Sequence, residues 1–166
     1  MYLRYNCLYI LLYLVKEKHM IVAQIQENLF VPFEKKEYDI LVHGCNCFHT
    51  MGGGIAAIVK YRYPNAYQAD CKTPIGTKNK LGLYSMAVTE FGTVINLYTQ
   101  YDFGTHQIQV DYDAVRKGFA LLNEDFKGKT ACIPRIGAGL AGGDWATIQQ
   151  IINEVTPDLE IVVYYV

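Results

Sequence analysis

One pattern constrains this chain more than any other, and it occurs twice: an apolar strand runs into glycines, and the glycines run into a helix. The first copy is Leu41-Val-His-Gly-Cys-Asn-Cys-Phe-His-Thr-Met-Gly-Gly-Gly-Ile-Ala56. The second is Pro134-Arg-Ile-Gly-Ala-Gly-Leu-Ala-Gly-Gly-Asp-Trp145. Tyr38 to Cys45 is nearly continuously apolar, which marks a strand covered on both faces. Parallel strands send their C-terminal ends to one edge of a sheet, so both loops are expected there, facing each other across one pocket. Glycine lets ligand oxygens approach the main chain, and amides leading into a helix N-terminus form an anion site. The pair of loops points to a ligand with a phosphate-bearing spine. The alternative is two ordinary tight turns.

The rest of the chain fits around these loops. Met20 to Gln26 has alternating, β-branched character and predicts a first strand, left through a loop over Glu27 to Pro32 and a charged turn over Glu34 to Glu37. Gly54 to Tyr63 has helical spacing, Pro64 breaks that helix, and Asn65 to Cys71 predicts a further short turn. Leu83 to Thr99 reads as a β-hairpin, Asp111 to Phe126 as an amphipathic helix, and Thr130 to Pro134 as a short buried strand. Asp144 to Val155 predicts a helix stopped by Pro157, and Leu159 to Tyr165 a last strand. Strands alternating with helices predict an α/β fold, a three-layer α/β/α sandwich with a mixed, mostly parallel central sheet.

At 166 residues the chain fits one domain with a full core. Its net charge of −1 gives no field favouring nucleic acid or an anionic membrane, and Lys78-Asn-Lys80 reads as an exposed turn. The five cysteines are odd in number, which suggests reduced thiols in a cytoplasmic protein. Cys45-Asn-Cys47 without a second ligand pair is weak as a metal motif, so no metal or cofactor is expected. Residues 1–19 look foreign to the rest: the run Cys7 to Val15 is too short to span a bilayer, no small-residue cleavage site follows it, and Met20 reads as a natural start. They are expected to be an upstream extension, with an added edge strand or helix as the alternative.

The loops lack the lysine and hydroxyl of an ATP-binding P-loop and the glycine spacing of a dinucleotide-binding fold. Val42-His-Gly-Cys-Asn46, Met51-Gly-Gly-Gly-Ile-Ala56 and Ile133-Pro-Arg-Ile-Gly-Ala-Gly-Leu-Ala-Gly-Gly-Asp-Trp145 instead resemble a macro domain, over Met20 to Val166. That resemblance implies an ADP-ribose pocket at the C-terminal edge of the sheet. By motif, Asn46 would contact the distal ribose, and Gly53, Gly54 and Ile55 would line the first phosphate loop. Ile136, Gly137, Ala138, Gly139 and Leu140 would cradle the diphosphate. Asn28, next to Leu29, falls where the family usually has an acidic residue for the adenine amine.

Ala56 stands where many ester-cleaving macro domains have Asp, and Ala141 where a lysine–aspartate branch has its acid. The His-x-Cys-Asn-Cys…Gly-Gly-Gly-Ile-Ala string is similar to the branch that dephosphorylates ADP-ribose 1″-phosphate, which implies His43 as catalytic residue with Asp144 as its partner. A histidine can protonate the leaving ribose oxygen or attack phosphorus, a carboxylate can orient it, and loop amides can stabilise the equatorial oxygens. The bland readings stand beside these: His43 as a core histidine, Asp144 as an N-cap, Asn46 as a turn residue and His49 as a surface residue. Tyr98, Tyr101 and Phe103 either cap the distal ribose or pack, and Tyr164 or Tyr165 either stacks on adenine or belongs to the core. The competing functions are a hydrolase releasing ADP-ribose from protein or nucleic acid, nucleic acid entering only as modified substrate, and a non-catalytic ADP-ribose reader. No membrane partner is expected.

Overall fold

A computed structural model describes residues 20–166. The expected extension over residues 1–19 lies outside the described residues. Among these residues six strands form one sheet: β1 (Ile21–Gln26), β2 (Ile40–Cys45), β3 (Tyr84–Val88), β4 (Thr93–Tyr98), β5 (Thr130–Pro134) and β6 (Glu160–Tyr165). Their order is β1-β6-β5-β2-β4-β3. All neighbours run parallel except β3, which pairs antiparallel with β4 at one edge. This is the mixed, mostly parallel sheet that the alternation of strands and helices predicts.

Two layers of helices cover it. Alternate residues of a strand face opposite ways, so Ile40 and Val42 point to one layer and Leu41 to the other. The first layer holds α4 (Tyr112–Asp125) and α5 (Trp145–Val155), whose Val115, Phe119, Leu122, Ile148 and Ile152 pack on Ile95, Ile133 and Ile161. The second holds α1 (Phe30–Glu34), α2 (Gly54–Arg62) and α3 (Pro64–Cys71), with Phe33, Val59, Tyr63 and Ala66 against Leu41, Val94 and Cys132. The central β2 is buried along both faces, which explains its unbroken apolar run.

Two local expectations change. Asn28 to Glu34 is not plain loop, because the Asn28 side chain accepts from the Phe30 amide at 3.0 Å and opens α1. Pro64 starts a helix as well as ending one. It occupies the first turn of α3, where its missing N–H leaves no intrahelical bond unmade.

Candidate functional site

The two glycine loops meet at the C-terminal edge of β2 and β5. A β-carbon built on Gly53 or Gly54 would stand 3.2 or 3.3 Å from Leu140 Cδ1, so the second loop lies directly over the first. Gly54 has φ 55° and Gly137 φ 75°, a conformation that side chains resist. The second loop closes on itself through Gly143 N–H to Gly137 O at 2.7 Å and Gly142 N–H to Gly139 O at 3.0 Å.

The loops leave donors free. Among the described residues, the amides of Gly137, Gly139 and Leu140 have no acceptor. The first amide of α2 to bond back is that of Ala57, to Gly53 O, which leaves Gly54, Ile55 and Ala56 without intrahelical acceptors. Gly53 supplies no side-chain cap, and no acid sits in the first turn of α2, so the helix's own first turn does not offset the positive end of its dipole. Two sets of amides around one exposed leucine are arranged as donors that an anionic group can accept from.

The other expected ligand residues fall at the same edge with varied surroundings. Asn46 is spent within its own turn: its Oδ1 accepts from Phe48 N and Thr50 N, and its Nδ2 donates to Thr50 O at 2.9 Å. One Nδ2 hydrogen is left for a ligand. Asn28 is exposed after β1, whereas Leu29 is buried in the α1–α3 layer. Ile136 is buried, Ala138 packs partly on the core, and Ile55 is half-buried. Tyr98 is in the core, and Phe48 packs edge-on against Tyr101 and Phe103. Tyr164 shares a 2.8 Å hydroxyl contact with Tyr38, and the Arg135 guanidinium lies 4.0 Å over the Tyr165 ring.

His43 and Asp144 do not come together. His43 is 0 % exposed, and its Nε2 lies 2.7 Å from Asn96 Oδ1. Asn96 spends its amide hydrogens on the Ala66 carbonyl and Ser85 Oγ, so its oxygen faces the ring and His43 Nε2 carries the proton. Burial pushes the imidazole down to about 4, against the opposing pull of the Asn96 bond and the Asp70 charge. Asp144, exposed, caps α5: its carboxylate accepts from Thr147 N at 2.9 Å and Thr147 Oγ1 at 2.6 Å. Those bonds hold its pKa below the ordinary carboxylate value. The structure does not bring the expected pair together: Asn96, not Asp144, bonds the buried His43 ring.

The sequence missed a buried polar cluster behind the Asn46 turn. It comprises Asp70 and Lys80, with Tyr98 donating to Asp70 Oδ1 at 2.8 Å. Burial raises the Tyr98 phenol and the Cys45 thiol, which keeps both neutral. Lys80 corrects the reading of Lys78-Asn-Lys80 as a wholly exposed turn. The four described cysteines are free thiols, and no group of three or more His, Cys, Asp or Glu among the described residues is placed to hold a metal ion. No described helix is long and apolar enough to cross a membrane. A cavity of about 380 Å³ opens at the opposite end of the sheet, between Met20, Lys129 and Glu160, away from the glycine loops.

No protein-family model matches the chain. A 17.5 kDa protein from the tk-vs intergenic region of Enterobacteria phage T4 is 37 % identical over 153 residues, covering 87 % of this chain and 96 % of that one. The macrodomain of Thermus aquaticus DarG superposes with a TM-score of 0.67 at 20 % identity, over 87 % of this chain and 97 % of that one. The chain has the fold of a macro domain. The chain is also similar to the DNA ADP-ribosyl glycohydrolase of Mycobacterium tuberculosis, at 25 % identity over 78 % of the chain but 39 % of that protein. A shorter match, 44 % identical over 48 residues, covers 29 % of the chain and 18 % of the ADP-ribose 1″-phosphate phosphatase of Ajellomyces capsulatus. Thermosipho africanus DarTG, solved in complex with ADP-ribose, shares the fold with a TM-score of 0.69 at 16 % identity, over 85 % of this chain and 40 % of that one.

Proposed function

We propose that this macro domain binds ADP-ribose between its two glycine loops and hydrolyses ADP-ribose 1″-phosphate to ADP-ribose. The observation that carries the binding half is the facing of two amide-rich loops, with Leu140 of one against Gly53 and Gly54 of the other. The diphosphate lies along Ile136 to Leu140, and the Gly53–Ile55 amides take the phosphate on the distal side. Asn46 offers its remaining Nδ2 hydrogen to the distal ribose, and Asn28 and Leu29 stand at the adenine end. The neighbour solved with ADP-ribose supports this reading.

The hydrolytic half rests on the His43-to-Ala56 string and on the short match to a phosphatase. Loop amides stabilise the phosphoryl oxygens as charge builds on them. His43, neutral and sealed, acts as a positioning residue: it holds Asn96 and fixes the end of β2 from which the Asn46 turn departs. A second reading, release of ADP-ribose from modified DNA, is favoured by the longer match, over 78 % of the chain, to a DNA ADP-ribosyl glycohydrolase.

The deciding experiment titrates ADP-ribose calorimetrically and then offers three substrates: ADP-ribose 1″-phosphate, an ADP-ribosylated oligonucleotide and an ADP-ribosylated protein. Phosphate release from the first supports the phosphatase. ADP-ribose release from the second or third replaces it with a glycohydrolase. Binding without turnover leaves a reader, and no binding of ADP-ribose sinks every version.

A further inference from the structure

A charged pair is sealed beneath the turn that carries Asn46. Asp70, near the end of α3, is 1 % exposed, and Lys80, in the 3-10 turn Lys78–Lys80, is 4 % exposed. Lys80 Nζ lies 3.5 Å from Asp70 Oδ1, 3.5 Å from the Cys47 carbonyl and 4.2 Å over the Tyr98 ring. Asp70 Oδ1 also accepts from Tyr98, and Asp70 Oδ2 has no partner among the described residues. The Thr73 hydroxyl donates to the Asp70 carbonyl at 2.7 Å and stands 3.2 Å from His49 Nε2.

Stability alone does not explain such a pair. Taking two charges out of water costs about as much as their attraction returns, and well-packed apolar residues often serve as well. The geometry shows what the pair does instead. The Cys47 carbonyl is gripped on one side by Lys80 and on the other by the Gly76 amide at 2.8 Å, while the Cys47 amide donates to Tyr101 O at 3.0 Å. His49, with φ 58°, is held on the same cluster, its Nε2 3.9 Å from Asp70 Oδ1. The turn between β2 and the triple glycine is thus anchored from inside the protein as well as by the bonds Asn46 makes within it.

We propose that Asp70 and Lys80 are positioning residues for the Cys45–Thr50 turn: the carboxylate fixes the ammonium, and the ammonium fixes the Cys47 carbonyl that sets Asn46 and the glycine loop in place. The effect on ligand rests on the ADP-ribose reading; the effect on the turn does not.

The test pairs two readouts, amide hydrogen exchange over residues 47–50 in the unliganded protein and the Kd for ADP-ribose. The double variant Asp70→Asn/Lys80→Met removes both charges together and so avoids a lone buried ion. It is expected to melt near the wild type, to exchange the Cys47–Thr50 amides about ten-fold faster and to bind ADP-ribose about ten-fold more weakly. Lys80→Arg, which keeps the cation, is expected to stay near wild type in both. Tyr98→Phe keeps the charges, loses one hydroxyl and serves if the double variant does not fold; about three-fold faster exchange is expected there. Wild-type exchange in the folded double variant, or in Tyr98→Phe if the double fails, overturns the proposal. Faster exchange in a protein whose wild type ignores ADP-ribose supports the positioning role and overturns the functional reading instead.

Discussion

Leu140 of the second glycine loop rests on Gly53 of the first, its Cδ1 3.2 Å from the place a β-carbon on Gly53 would take. The contact sets the gap between the loops, and it depends on glycine for space rather than for backbone freedom, since Gly53 has an extended φ of −147°.

Gly53→Val therefore keeps its backbone and loses the gap. The Kd for ADP-ribose is expected to rise about ten-fold or more with little change in Tm. Adding Leu140→Ala returns space, so the double variant should recover part of the affinity. Equal affinity for wild type and Gly53→Val, by calorimetry, would place the ligand elsewhere.

Asn28→Asp keeps the acceptor that opens α1 at the Phe30 amide and adds a negative charge at the adenine end. An acceptor with charge bonds an exocyclic amine more strongly than a neutral one. ADP-ribose affinity should rise several-fold, and affinity for the inosine analogue, which lacks that amine, should not. A rise for both ligands would sever Asn28 from adenine recognition.

Asp144→Asn separates capping from chemistry. Asn is as good an N-cap as Asp, so the amide variant should melt close to wild type while Asp144→Ala melts lower. Turnover of whichever substrate proves active should survive in Asp144→Asn, because the carboxylate serves Thr147 rather than His43. Loss of turnover at full stability would return Asp144 to the reaction.

His43 makes stability depend on pH in a defined window. Its folded value of about 4 lies below the 6.5 expected in the unfolded chain, so the unfolded state takes up the proton first. The contribution is fully present above pH 6.5 and is lost as pH falls from 6.5 towards 4, amounting to about 3 kcal/mol at the acid end. A Tm series should show His43→Gln less sensitive than wild type across that window. Parallel curves would mean that the ring is not sealed as described.

The sheet, its helix layers and the facing loops were legible because their signals are local: apolar runs, helical spacing and glycine at strand ends. The two short helices α1 and α3 were not, since each carries a proline within its first turns and proline reads as a breaker when its position relative to the helix start is unknown. At the site, Gly53, Gly54 and Leu140 could be named from motif, and their approach agrees with two loops facing each other. The partner of His43 could not. Asn96 sits on β4, and only the β2–β4 register, His43 opposite Asn96, brings the two side chains together. Asp70 and Lys80 look in sequence like any solvated acid and base. Burial of both follows from how α3 and the 3-10 turn close over β4, which no spacing along the chain encodes.

The pairing of β1 with β6 has a consequence for how the molecule is made. β1 is synthesised first among these strands, yet its neighbour among the described strands is the last, with Gln26 opposite Tyr165. A ribosome-bound chain carries β1 without its described partner until β6 emerges, and β6 in turn joins it to β5. Early stops that delete β6 would thus split the sheet rather than trim it. Contacts between such distant stretches also slow folding, so completion of the sheet is expected to be a late step.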